Sequence, residues 1–109
     1  MAWGRMETKL HPRLAALPRR MLLGTEVPVA LGCRARLLGL AGIPPERAGA
    51  GLLIPRCTAV HTFGMRFRLN LHFLDEDGRL LLVRRAVPPR RFAACRDAAA
   101  VLELPAGQD

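Results

Sequence analysis

The stretch CTAVHTFGMRFRLNLHFLDEDG, residues 57–78, decides the fold. From His61 to Phe73 the odd positions are His61, Phe63, Met65, Phe67, Leu69, Leu71 and Phe73, and the even ones are Thr62, Gly64, Arg66, Arg68, Asn70 and His72. This period of two belongs to a β-strand, whose successive side chains point to opposite faces. The run is longer than the roughly 3–10 residues of an ordinary strand, so a bend or bulge is expected near Gly64. On this reading His61 turns inward beside Phe63 and Phe67, while His72 turns outward with the arginines.

The run ends in Asp75-Glu76-Asp77-Gly78 and is followed by a second apolar run, RLLLVRRAV. A three-residue loop with Gly78 left-handed makes a hairpin in which Asp75 faces Arg79, Phe73 faces Leu81 and Leu71 faces Val83. A two-residue Asp77-Gly78 turn would place Leu71 opposite Arg84, so the longer loop is expected.

Upstream, RRMLLGTEVPVALG reads as a strand pair divided at Gly24-Thr25, with Pro28 confining the second run to an edge or a strand start. In CRARLLGLAG the period changes: Cys33, Leu37, Leu40 and Ala41 fall on one helical stripe, and Gly42 before Pro44-Pro45 would end a short helix. A loop with one helical turn at PPER leads to a strand at 51–54. Downstream, Pro88-Pro89 breaks the hairpin's second strand, residues 90–97 form a basic connection, and 99–104 form a last strand closed by Pro105. Residues 1–18, with Pro12 and Pro18 and no steady period, read as a loosely ordered arm with a helical turn around Leu14 to Leu17, ahead of a single domain at 19–109.

Composition bounds the function classes. At 109 residues, 50% apolar and 24% charged, the chain suits one folded domain with one core. Its net charge of +8 is almost all arginine, since Lys9 is the only lysine among 17 basic residues. Positive charge attracts phosphate backbones and acidic partners, yet it is spread along the chain and aromatic rings for stacking bases are few, which weighs against nucleic acid. Cys33, Cys57 and Cys95 are odd in number and form no CxxC, which points to reduced thiols. The opening MAWGRMETKLHPR lacks the apolar core of a secretory signal, and no run reaches the roughly 18 apolar residues of a membrane span. The expectation is a soluble cytoplasmic protein.

Cys57 with His61 is the sharpest chemical pair, because a thiol becomes a strong nucleophile beside a base. In an extended segment, however, residues four apart stand about 13 Å from each other, so packing or a structural hydrogen bond is the plainer role. A zinc site would have to be drawn from Cys33, Cys57, His61 and Cys95, which lack close ligand pairs, so neither metal nor cofactor is expected. Arg84, Arg85, Arg90, Arg91 and Arg96 could form a basic edge, or could guard an edge strand against unwanted pairing.

RLLGLAG at 36–42, the long stretch opening GAGLLIPRCTAVHT at Gly49, and CRDAAAVLELPAG at 95–107 together resemble the prokaryotic domain-of-unknown-function 192 family. The resemblance covers roughly residues 20–107 and implies an α+β domain with a strongly bent, barrel-like antiparallel sheet and one or two short helices. It implies no established activity. Matched residue by residue, it nominates Arg36, Cys57, His61, Thr62, Met65 and Arg66 for a shared site. Members typically carry Pro-x-Asp where this chain has Arg68 and Asn70, and often continue beyond the point where it stops, so an exposed sheet edge or completion by a partner is expected.

These readings converge on a non-enzymatic binding or accessory domain, with His61, Thr62, Met65 and Arg66 lining a small cleft between the sheet and the helix at 33–42, open to a small anionic ligand or a protein partner. The alternatives are a Cys57–His61 enzyme acting on a small anionic substrate with Arg66 steadying it, and a weak arginine-mediated nucleic-acid binder.

Overall fold

The computed structural model describes residues 9–107. In chain order it contains α1 (Pro12–Ala15), β1 (Arg19–Leu22), β2 (Thr25–Pro28), α2 (Cys33–Leu38), a 3-10 turn (Pro45–Arg47), β3 (Leu52–Pro55), β4 (Ala59–His61), β5 (Leu69–Leu74), β6 (Leu80–Val87), β7 (Phe92–Ala94) and β8 (Ala100–Pro105). The strands form one four-stranded antiparallel sheet in the order β3-β8-β5-β6 and two ribbons, β1-β2 and β4-β7. The α+β class is as the sequence indicates. The barrel-like curl is not: the sheet is open, and the strands that would have closed it are split off as ribbons.

Gly64 explains the split. The expected thirteen-residue strand is cut into β4 and β5 by a turn in which Gly64 takes φ +80° and its carbonyl accepts the Gly42 amide at 2.9 Å. That turn also reverses the alternation. Beyond it, Leu69, Leu71 and Phe73 are fully buried on one face as read from the sequence, whereas before it Thr62 is the buried residue and Phe63 is exposed. His61 is half-buried at the ribbon rather than enclosed among phenylalanines. His72 is half-buried on the opposite sheet face, beside Val27, Ala50, Leu102 and Leu104 rather than on a solvated arginine face.

The DEDG hairpin has the expected loop: Gly78 is left-handed at φ +81°, and the Asp75 amide donates to the Arg79 carbonyl at 2.8 Å. The register beyond it differs. Leu74 pairs with Leu80 but Phe73 pairs with Leu82, so a bulge shifts the ladder by one and sets Leu71 opposite Arg84, the pairing that looked unfavourable. It is tolerated because β6 is the outer strand of the sheet, where Arg84 remains exposed. A second shift lies between Leu69 and Leu71. There Asn70, buried, accepts the amide of Ala86 (φ +52°) at 2.8 Å, and Arg68 donates to the carbonyl of the same residue at 3.2 Å.

The principal core lies on the sheet face that carries Leu52, Ile54, Leu69, Leu71, Phe73 and Val101, and is closed by Leu14, Leu40, Ile43 and Met65. Each such side chain removed from water contributes about 1.5–3 kcal/mol. A smaller core of Val27, Val29, Leu53 and Leu74 sits on the other face under the β1-β2 ribbon. The described part of the expected arm packs into the principal core: Leu14 is 1% exposed, and the Arg13 guanidinium donates to the carbonyls of Gly39 and Ala41, each at 2.8 Å. Residues 1–8 lie outside the described residues.

Two smaller differences bear on the site. The helix α2 stops at Leu38, with Gly39 at φ +55°, three residues before the glycine expected to end it. The segment 90–97, read as a plain connection, contains β7, which pairs with β4 through Ala59–Ala94, Val60–Ala93 and His61–Phe92.

Candidate functional site

Glu103 lies at the centre of the sheet's inner face. On β8 it pairs laterally with Leu52 of β3 and Leu71 of β5, and it shares its face with the buried Val101 and Pro105. It is the buried carboxylate among the described residues, 2% exposed. The Leu40 amide donates to its Oε1 at 3.3 Å. Burial pushes its carboxyl up from 4.5 to about 7, opposed by that one backbone hydrogen bond. The early end of α2 is built around it: a Cβ at Gly39 would stand 2.6 Å from Oε1.

Between α2, β3 and β4 a cleft of about 370 Å³ opens above Glu103. Its walls include Cys33, Arg36, Cys57 and His61, with Leu37, Leu38, Ile54 and Val60 as apolar surface. Of the residues nominated from the sequence, Arg36, Cys57 and His61 therefore meet at one cleft, and Thr62, Met65 and Arg66 do not line it. Thr62 is fully buried elsewhere: its hydroxyl donates to the Pro88 carbonyl at 2.7 Å and accepts the Arg91 amide at 2.8 Å. Met65 belongs to the principal core, and Arg66 is exposed.

The polar groups of the cleft wall are largely engaged. Arg36 donates through Nη1 to the Pro55 carbonyl and through Nη2 to the Arg56 carbonyl at 2.9 Å, tying α2 to the end of β3, where Arg56 holds φ +50°. It keeps its charge and further N–H groups, since a guanidinium has five. The Phe63 amide donates to His61 Nδ1 at 3.2 Å, which puts the proton on Nε2, and Nε2 donates to the Leu37 carbonyl at 3.0 Å. The Cys57 thiol donates to the Ala59 carbonyl at 3.1 Å. Thiol and imidazole thus share a cleft, but each is bonded to backbone rather than to the other.

Glu103 was not singled out from the sequence, although the signal was there: in AVLELP the alternation that turns Val101 inward turns Glu103 inward two residues later. Among the described residues no group of three or more His, Cys, Asp or Glu is placed to hold a metal ion, and no helix is long and apolar enough to cross a membrane.

Fold and site define a small α+β domain with an open antiparallel sheet and a carboxyl-floored cleft beside a short helix. The chain belongs to the domain-of-unknown-function 192 family, described as an "Uncharacterized ACR", whose model matches residues 18–108. A comparison with curated proteins finds no match. Among solved structures it is similar to a protein of unknown function from Novosphingobium aromaticivorans, with a TM-score of 0.60 and 18% identity over 73% of this chain, which spans 62% of that one. It is also similar to a "putative transcription regulator" from Sinorhizobium meliloti, with a TM-score of 0.62 and 22% identity over 82% of this chain and 78% of that one. Likeness at this identity concerns the fold.

Proposed function

We propose that this chain is a non-enzymatic binding module whose ligand lies in the cleft between α2, β3 and β4, over Glu103. One observation carries the reading. The would-be catalytic groups are spent on backbone, His61 at both ring nitrogens and Cys57 on Ala59, whereas the Glu103 carboxyl accepts one bond and retains capacity for more.

The chemistry of the cleft suits a small anionic ligand with an apolar body. Near neutral pH a carboxyl raised to about 7 is partly protonated and can donate to a ligand oxygen. The charge of Arg36 favours an anionic head, while Leu37, Leu38, Ile54 and Val60 offer apolar contact. The test is an amide chemical-shift titration with a panel of small aliphatic and aromatic carboxylates. Shifts should centre on Leu40 and Phe63, whose amides bond Glu103 and His61, and should vanish in Glu103→Leu. Shifts centred elsewhere, or none across the panel, reject the reading.

A second reading, a Cys–His enzyme acting on a small anionic substrate, draws on Cys57 and His61 lining the same cleft. It requires His61 to give up the Phe63 amide before Nδ1 can take a proton, or the Leu37 carbonyl before the ring turns. Mass spectrometry after exposure to anionic acyl esters discriminates the two. A covalent adduct on Cys57 that is lost in His61→Gln supports the enzyme, and the absence of any adduct supports the binding module.

A further inference from the structure

We propose a second site, bordering the cleft at His61 and Phe63, that binds single-stranded nucleic acid on the outer surface where β6 meets the β4-β7 ribbon. The sequence weighed against such a partner because rings were few and charge was dispersed, and the fold changes both terms. It gathers Arg84, Arg85, Arg91 and Phe92 around a groove of about 370 Å³ whose lining contains no carboxylate. The chain as a whole carries +8.

Two of the four phenylalanines stand at this surface. Phe92 is 79% exposed and Phe63 44%, with their ring centroids 5.3 Å apart edge to face, and the His61 ring lies 5.9 Å from Phe63. Large rings this open to water contribute little burial to the fold and leave their faces available to a partner. A base has a π-face for such a ring whatever its identity, and stacking contributes about 1–3 kcal/mol per base. Guanidinium groups alongside would meet the phosphates.

The loop that presents these groups is fixed. Arg90, held at φ +68°, donates its amide to the Thr62 carbonyl at 3.3 Å, and the Arg91 amide donates to the Thr62 hydroxyl at 2.8 Å. Thr62 itself is fully buried. The cationic segment is therefore pre-organised, which lowers the ordering cost of binding. A single strand fits better than a duplex because an exposed ring stacks only on unpaired bases, and among the described residues neither α-helix exceeds the six residues of α2. A basic surface with rings could also take an acidic protein segment, and the experiment separates the two.

The test is fluorescence anisotropy with labelled oligothymidylate and oligouridylate of about a dozen nucleotides, the matching duplex, and polyglutamate as competitor, over a range of salt. Single strands should bind at low salt and outcompete both duplex and polyglutamate. Phe92→Ala should weaken binding roughly ten- to a hundredfold, and Phe92→Trp should restore it. Arg91→Ala should reduce the slope of log affinity against log salt by about 0.7, the value for one phosphate contact on a single strand. Absence of binding at low salt overturns the proposal. So does an affinity indifferent to Phe92, which marks mere charge attraction, or a preference for polyglutamate, which marks an acidic protein partner. The cleft's carboxylate titration is read in separate samples at the Leu40 amide, which belongs to neither the rings nor the arginines of this surface, so either site can fail alone.

Discussion

The Leu40 amide donates to the carboxyl of Glu103, 3.3 Å from Oε1, and this contact joins the end of α2 to the middle of the sheet. It is one polar link in a place otherwise filled by Leu52, Leu71 and Val101.

The stability of the fold should depend on pH through Glu103. Glu103 has a carboxyl raised to about 7 in the folded protein against 4.5 when exposed, so the native state holds a proton that the unfolded state has lost. The contribution of Glu103 to stability is therefore fully present below about 4.5, falls as pH rises, and is lost above about 7. The full drop is on the order of 3 kcal/mol. Glu103→Gln keeps an acceptor for Leu40 and should flatten the curve, as checked by urea denaturation at several pH values. Parallel curves for wild type and variant across that window would refute the assignment.

Gly39 should be intolerant of substitution. Its φ of +55° disfavours any side chain, and a Cβ would press on Glu103 Oε1. Gly39→Ala should destabilise the fold by about 2–4 kcal/mol, combining the backbone cost with displacement of a buried carboxyl. Gly24→Ala, at φ +81° but with nothing within 4 Å, bears the backbone cost alone, roughly 1 kcal/mol. Thermal unfolding of the two variants should rank them in that order.

Removing one hydroxyl at Thr62 should unfasten the Pro88–Arg91 loop. Thr62→Val preserves shape but leaves the Arg91 amide without the Thr62 hydroxyl and removes the donor to Pro88. The expected loss is about 1–3 kcal/mol. Hydrogen exchange should accelerate most at Arg91, and Thr62→Ser should restore much of the loss.

Arg36 should prove hard to replace with lysine. Its two nitrogens reach two successive carbonyls, Pro55 and Arg56, a fork that a single ammonium cannot reproduce. Arg36→Ala should cost about 1.5–3 kcal/mol and Arg36→Lys most of the same, measured by chemical denaturation. By contrast, Cys57→Ala should leave carboxylate binding in the cleft intact under the binding reading, because the thiol there donates only to Ala59.

The legible parts of this fold are those set by local chemistry. Asp75-Glu76-Asp77-Gly78 states its own turn because Gly78 supplies a positive φ, and Pro45 starts the 3-10 turn at PPER. The illegible parts are set by distant groups. Nothing within residues 80–87 marks the bulges of β6: one rests on Asn70, a strand away, and leaves a non-glycine residue, Ala86, at φ +52°. The helix ends at Gly39 rather than Gly42 because a glutamate 64 positions later in the sequence occupies the space a side chain would need.

The site divides in the same way. Arg36, Cys57 and His61 could be nominated from the resemblance and do share a cleft. The resemblance nominates Thr62, Met65 and Arg66 equally, but the fold around the turn at Gly64 carries them to the loop pin, the core and the surface. Arg68 and Asn70 act together as the grip on Ala86.

The place of β8 between β3 and β5 sets a timetable for synthesis. On the ribosome, every earlier strand has left the exit tunnel before Ala100–Pro105 does, so β3 and β5 wait with bare hydrogen-bonding edges for the segment that joins them. Such waiting edges are where nascent chains stick to one another, and a holdase that shields Leu52–Pro55 and Leu69–Leu74 until Ala100–Pro105 emerges would be matched to this order of strands.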